Sequence, residues 1–195
     1  MTARLAFERV ACRRGGRILF EQVHFALGPG MAALVTGPNG VGKSSLLRLA
    51  AGLLAPAAGR VAAIGRIALA ADRAALDPAR PLGRALAFWA GLDGAGEAAV
   101  ASALDAMGIG GLARVPVRML STGQSKRAAL ARVIAGGADI WLLDEPGNGL
   151  DHAALARLAD AMAAHRAAGG IILAATHQPL GLDDALPIAL GTVPA

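Results

Sequence analysis

The sequence predicts an α/β fold: a parallel sheet with helices on both faces, an antiparallel β part before it, and a small helical insertion. Three observations carry that prediction. Continuous apolar runs recur at 32–36, 140–143 and 171–175, as expected of strands buried on both sides. Segments with helical spacing of apolar residues alternate with these runs at 46–54, 124–135 and 153–167. A glycine-rich turn at 37–44 joins the first run directly to the first helix.

Taken in order, Leu5, Phe7 and Val10 lie before an Arg/Gly-rich loop, and the run 23–27 lies after it. They predict two short strands joined by a turn, after which Gly28-Pro29-Gly30 punctuates the chain. The first helix carries Leu46, Leu47, Leu49, Leu53 and Leu54, and Pro56 is expected to close it. From about 66 to 116 the sequence is alanine-rich and reads as mainly helical, with helices at 82–92 and 97–107. No tandem duplication or linker interrupts the chain. One domain over 1–195 is expected, with a helical insertion at roughly 76–135.

Hydrophobic residues make up 55% of the 195 residues and charged residues 17%, which excludes a disordered chain. Arginines interrupt every apolar run before it reaches the roughly 18 residues of a membrane helix. The first residues, Met1-Thr2-Ala3-Arg4-Leu5, lack the apolar stretch of a secretory signal. Cys12 has no second cysteine to pair with, as suits a reducing compartment. A soluble cytoplasmic chain is therefore expected. The net charge is +5, and all but two of the 19 basic residues are arginine. They are scattered, and aromatic residues are only 3%, so base-stacking platforms are scarce and no nucleic-acid partner is expected.

Gly37-Pro38-Asn39-Gly40-Val41-Gly42-Lys43-Ser44 fits G-x-x-x-x-G-K-[ST] between an apolar strand and an amphipathic helix. Such glycines let successive backbone N–H groups turn toward phosphate oxygens, and the helix N-terminus adds a favourable dipole. Lys43 brings a compact positive charge to the terminal phosphates, and Ser44 offers a hydroxyl to Mg²⁺. Ser45, the next residue, joins the predicted nucleotide-binding set. ATP and Mg²⁺ are the expected ligands of this P-loop NTPase pattern.

Ile140-Trp141-Leu142-Leu143-Asp144-Glu145 is an apolar strand that ends in two acids. Ligands of an open parallel sheet sit at the carboxyl ends of its strands, so both acids are expected to face the phosphate loop. Asp144 is assigned to Mg²⁺, and Glu145 to the attacking water as general base.

Leu120-Ser121-Thr122-Gly123-Gln124 resembles the LSGGQ signature of ABC ATPases, and 126–132 resembles the helix that follows it. A hydroxyl, a glycine N–H and a helix N-terminus form an anion site; on sequence alone, Ser121 also reads as an ordinary helix N-cap. The resemblance implies that Ser121, Gly123 and Gln124 contact the γ-phosphate held by a second copy of the chain. It also implies that Gly149-Leu150-Asp151 is the D-loop and that His177 is the catalytic switch histidine, acting with Glu145 and Lys43.

The stretch from Gly169 to Leu180, notably His177-Gln178-Pro179-Leu180, is similar to the ATP-binding subunits of the haem-handling cytochrome c maturation systems. Thr122 in the signature, the tract from Cys12 to Phe20, the pair Phe88-Trp89 and the short tail after His177 also resemble that group. The resemblance implies a peripheral ATPase on the cytoplasmic face of a bacterial inner membrane, working with multi-span membrane subunits. Cys12, His24, His152 and His165 form no haem-ligand pattern. A soluble ATPase of the same family acting on nucleic acid or ribosomes stays open, as does a weakly hydrolysing regulator.

Two departures from the ABC pattern stand out. The stretch from Ala68 to Leu76 holds no glutamine where the family has one, Asp72 and Arg73 standing nearest. No tyrosine is present to stack on adenine, and Arg13 or Arg14 offers a guanidinium face instead.

Overall fold

The computed structural model describes residues 2–71 and 75–191. The chain begins with two long strands, β1 (Arg4–Arg14) and β2 (Arg17–Leu27), joined by a two-residue Gly15-Gly16 turn. The Arg/Gly-rich stretch expected as a loop is therefore mostly strand: Arg13 pairs with Ile18 and Arg14 with Arg17. Strand β4 (Ala58–Ile64) adds antiparallel to β1, giving the sheet order β2-β1-β4.

The second sheet is parallel and runs in the order β5-β6-β7-β3-β8. Its strands are β3 (Ala32–Thr36), β5 (Ile67–Ala70), β6 (Ile140–Asp144), β7 (Ile171–Ala175) and β8 (Leu186–Ala189). Successive side chains of a strand point to opposite faces, and both faces here are apolar. Ile140, Leu142, Ile171, Leu173, Ala33 and Val35 pack with Leu46, Leu47 and Leu49 of α1 (Lys43–Ala50) and with Leu5, Phe7 and Phe25 of the hairpin. Trp141, Leu143, Ile172 and Ala174 pack on the other face. They meet side chains of α2 (Leu82–Leu92), α3 (Glu97–Ala106), α4 (Thr122–Gly136) and α5 (His152–Ala167). The α/β class is as the sequence predicts, and α1 lies between the two sheets.

Two further expectations need correction. Helix α1 ends at Ala50, short of Pro56, because Gly52 adopts φ +69°. Its N–H bonds the Leu49 carbonyl at 3.1 Å and the Leu53 N–H bonds that of Arg48 at 2.9 Å, the Schellman stop that glycine permits. The reading of 66–116 as mainly helical holds for α2 and α3, but 67–70 is strand β5, which pairs with β6 from Ile67↔Ile140 to Ala70↔Leu143. Four residues, two of them alanine, carry little strand signal, and tertiary pairing decides their state. Strand β8 also escaped the sequence reading, since Pro187 sits within it. At the sheet edge proline is tolerated, because one side of the strand needs no donor.

Candidate active site

Strand β7 lies between β3 and β6, with Val35 and Asp144 both in register with Ala175. The three chain segments that leave these strands therefore emerge side by side at the carboxyl end of the sheet. They are the phosphate loop from Gly37, the acids Asp144 and Glu145, and the turn that carries His177. A cleft of about 270 Å³ opens there, lined by Asn39, Gly40, Gly42, Lys43, Ser44 and Ser45, by Asp144 and Glu145, and by Leu19 of the hairpin.

The loop's conformation depends on glycine. Gly37 has φ +138°, and a Cβ there would collide with the Leu190 carbonyl oxygen beside β8. Gly42, at φ +114°, is backed by Phe20, whose ring would lie 2.9 Å from an added Cβ. Pro38 accepts a hydrogen bond from the Val41 N–H at 3.3 Å, which closes the turn, and the Val41 side chain is buried in the core below.

Lys43 is buried at 8% exposure, and its ammonium is satisfied by the carbonyls of Gly37 at 2.8 Å and Pro38 at 3.3 Å. Its third neighbour is His177 Nε2, at 2.8 Å. An ammonium only donates, so the Nε2 lone pair accepts and the ring proton sits on Nδ1. The same Nε2 lies 3.3 Å from Asn39 Oδ1 and 3.6 Å from Glu145 Oε1. The Glu145 carboxylate therefore approaches the same nitrogen that meets Lys43. Lys43, His177 and Glu145 thus form one contiguous set from three separate sequence segments.

Glu145 is also set apart by its backbone. Its φ of +45° is left-handed, uncommon for a residue with a Cβ and concentrated at functional sites. Its N–H donates to the Ala175 carbonyl at 2.8 Å, and its own carbonyl accepts from Asn148 N–H at 3.2 Å. The acid is thereby bent out of the strand into the cleft. Ser44 and Asp144 line the same cleft, and their oxygen atoms are the donor type that Mg²⁺ takes. Ser45 lines it too, though it is buried and its hydroxyl pairs with the Cys12 thiol, whose pKa burial pushes up.

The signature residues are not brought to this cleft. Ser121 caps α4 in a reciprocal box: its hydroxyl accepts from the Gln124 N–H at 3.3 Å, and the Gln124 side chain accepts from the Ser121 N–H at 2.9 Å. Gly123 packs close to the D-loop, where a Cβ would come within 3.3 Å of the Gly149 carbonyl. Asp151 caps α5, accepting from Ala154 N–H at 2.7 Å.

Some neighbours of the site were not assigned to it from the sequence. Gln178 donates to Asn148 Oδ1 at 3.4 Å, which ties the segment after His177 to the segment after Glu145. Lys126 of α4 reaches the Asp144 carbonyl at 3.4 Å. Leu19 is the hairpin residue that lines the cleft, while Arg13 and Arg14 are exposed on β1. Asp72 and Arg73 lie outside the described residues.

The sequence model of the ABC transporter family matches residues 20–148. The "Cytochrome c biogenesis ATP-binding export protein CcmA" of Sphingopyxis alaskensis is 57% identical over 193 residues, covering 99% of this chain and 100% of that one. The protein of the same name from Zymomonas mobilis is 50% identical over 188 residues, covering 96% and 85%. Among solved structures, an "ATP binding subunit of ABC transporter" superposes with a TM-score of 0.86 at 21% identity, covering 97% of this chain and 90% of the other. That likeness speaks for the fold alone. The chain belongs to the ABC transporter family, in the group of the cytochrome c biogenesis ATP-binding export proteins.

Proposed function

We propose that the chain binds ATP with Mg²⁺ in the cleft and hydrolyses it within a sandwich of two copies. The export step it powers belongs to cytochrome c biogenesis, with haem as the molecule delivered. The observation that carries this reading is the convergence of Lys43, Asp144, Glu145 and His177 at the carboxyl end of the sheet beside the phosphate loop.

The loop's N–H groups take the phosphate oxygens, and Lys43 exchanges the Gly37 and Pro38 carbonyls for the terminal phosphates. Ser44 and Asp144 would hold Mg²⁺, which supplies neutralising charge at the β- and γ-oxygens. Glu145, turned into the cleft by its left-handed backbone, orients the attacking water and accepts its proton. His177 leaves Lys43 and donates a ring N–H to the γ-phosphate. Ser121, Gly123 and Gln124 complete the site from the second copy. The ATPase acts at the cytoplasmic face of the inner membrane, docked on integral membrane subunits. None of the described helices is long and apolar enough to cross a membrane itself.

The test is restoration of cytochrome c in a bacterium that lacks its own copy of this ATPase. The wild-type chain should restore covalent haem on cytochromes and co-purify with multi-span membrane proteins, whereas Glu145→Gln should co-purify equally and restore nothing. Restoration by Glu145→Gln, or recovery of the chain on ribosomes instead of membrane proteins, would contradict the proposal.

A further inference from the structure

Arg132, on the buried side of α4, makes contacts that no capping or phosphate role requires. Its Nη2 donates to the Leu69 carbonyl of β5 at 2.7 Å. Its guanidinium carbon lies 5.1 Å from the centroid of the Trp89 ring, on α2. Trp89 in turn donates its indole N–H to the Ala75 carbonyl at 2.6 Å, at the approach to α2. One stacked pair thus joins α4, α2 and β5.

The position of that joint relates it to the active site. Leu69 pairs in register with Leu142 of β6, two residues before Asp144. Ser121 caps the start of helix α4, so Arg132 fixes the far part of the helix that carries the signature. A guanidinium suits this place because its planar fork can stack and donate at once, which an ammonium cannot. Its Nε is buried without a hydrogen-bond partner, a feature that calls for an explanation in a native structure. Lying over the indole while Nη2 meets Leu69 leaves Nε facing no acceptor. Burial pushes the guanidinium's pKa down and the Asp93 carboxylate pushes it back up, yet an arginine keeps its charge.

We infer that Trp89 and Arg132 are positioning residues for hydrolysis: their stack sets how the signature helix sits against the strand end that bears Asp144 and Glu145. Neither side chain lines the nucleotide cleft. The inference rests on the hydrolytic reading of that cleft and adds the joint that aligns it with the signature.

The experiment measures kcat and ATP affinity for Trp89→Leu, Arg132→Met, Arg132→Lys and the double Trp89→Leu/Arg132→Met, with wild type and Glu145→Gln run in parallel. A misplaced helix of this kind should lower kcat about 10- to 100-fold, while ATP affinity changes less than about twofold. Arg132→Lys should not rescue, and the double variant should be no slower than the slower single variant, as for two halves of one device. Wild-type turnover in Arg132→Lys, or losses that multiply in the double variant, would overturn the inference. If Glu145→Gln turns over like wild type, the reading of the cleft fails instead. The joint is then judged by hydrogen exchange in α2, where faster exchange in both single variants supports it and unchanged protection overturns it.

Discussion

Under the proposed function the cleft at the end of β3, β6 and β7 and the signature end of α4 both receive phosphate, yet they differ in completeness. At the cleft, three sequence segments converge within one chain, and Lys43, His177 and Glu145 already touch. At the signature, Ser121 and Gln124 are engaged with each other as a helix cap, and Gly123 packs against the loop at Gly149 rather than against the cleft. Under the proposed function the first region binds nucleotide through one chain. The second has meaning for phosphate only when another copy presents one. A motif that looks like a plain N-cap in the isolated chain can therefore still be half of an active site.

The largest effect should come from the self-contained region. Glu145→Gln keeps the shape of the side chain and removes the base, so single-turnover hydrolysis should fall about 10²- to 10⁴-fold with ATP affinity retained. Equal loss of affinity and turnover would place Glu145 in binding instead.

The next prediction separates capping from phosphate contact at the signature. Aspartate is as good a cap as serine, so Ser121→Asp should leave the unfolding free energy within about 0.5 kcal/mol, whereas Ser121→Ala should cost about 1 kcal/mol. Both should slow turnover, Ser121→Asp by about 10²- to 10³-fold, since it removes a donor and adds repulsion. A fully active Ser121→Asp chain would reduce the signature to a cap.

A smaller effect distinguishes strain from chemistry at Glu145. Because its φ is +45°, Glu145→Gly should be about 1 kcal/mol more stable than Glu145→Ala, although both are inactive. Equal urea midpoints would show that the left-handed backbone relaxes without cost.

The smallest effect lies at the opposite end of the sheet. His165 stacks on Trp141 with centroids 4.0 Å apart, and burial pushes its pKa below 6.5. As pH falls below that value the unfolded chain takes up this proton before the folded one, so the stability contribution present above it is lost. His165→Gln should flatten the fall in urea midpoint between pH 7 and pH 5. An unchanged slope would place the acid sensitivity elsewhere.

What could be read from sequence follows a physical division. Residues 37–44, 140–145 and 171–177 were legible because each is a local pattern whose chemistry fixes its own geometry, and register then brings them together. Strands β4 and β8 were not, since Ala58–Ile64 carries Gly59 and Leu186–Ala189 carries Pro187, and only pairing with β1 and β3 makes them strands. Contacts between distant side chains were equally silent. The Gln178–Asn148 bond spans 30 residues, and the Lys43–His177 contact spans 134.

The central claim is that the signature of one copy completes the cleft of another. Mixing two inactive chains tests it most directly: Lys43→Ala, with a broken phosphate loop, and Ser121→Asp, with a broken signature. In a mixed dimer one site combines the intact loop of one chain with the intact signature of the other. An equal mixture should therefore recover about a quarter of wild-type turnover, because half of the dimers are mixed and each holds one whole site. No activity beyond that of the separate variants would contradict the two-chain site.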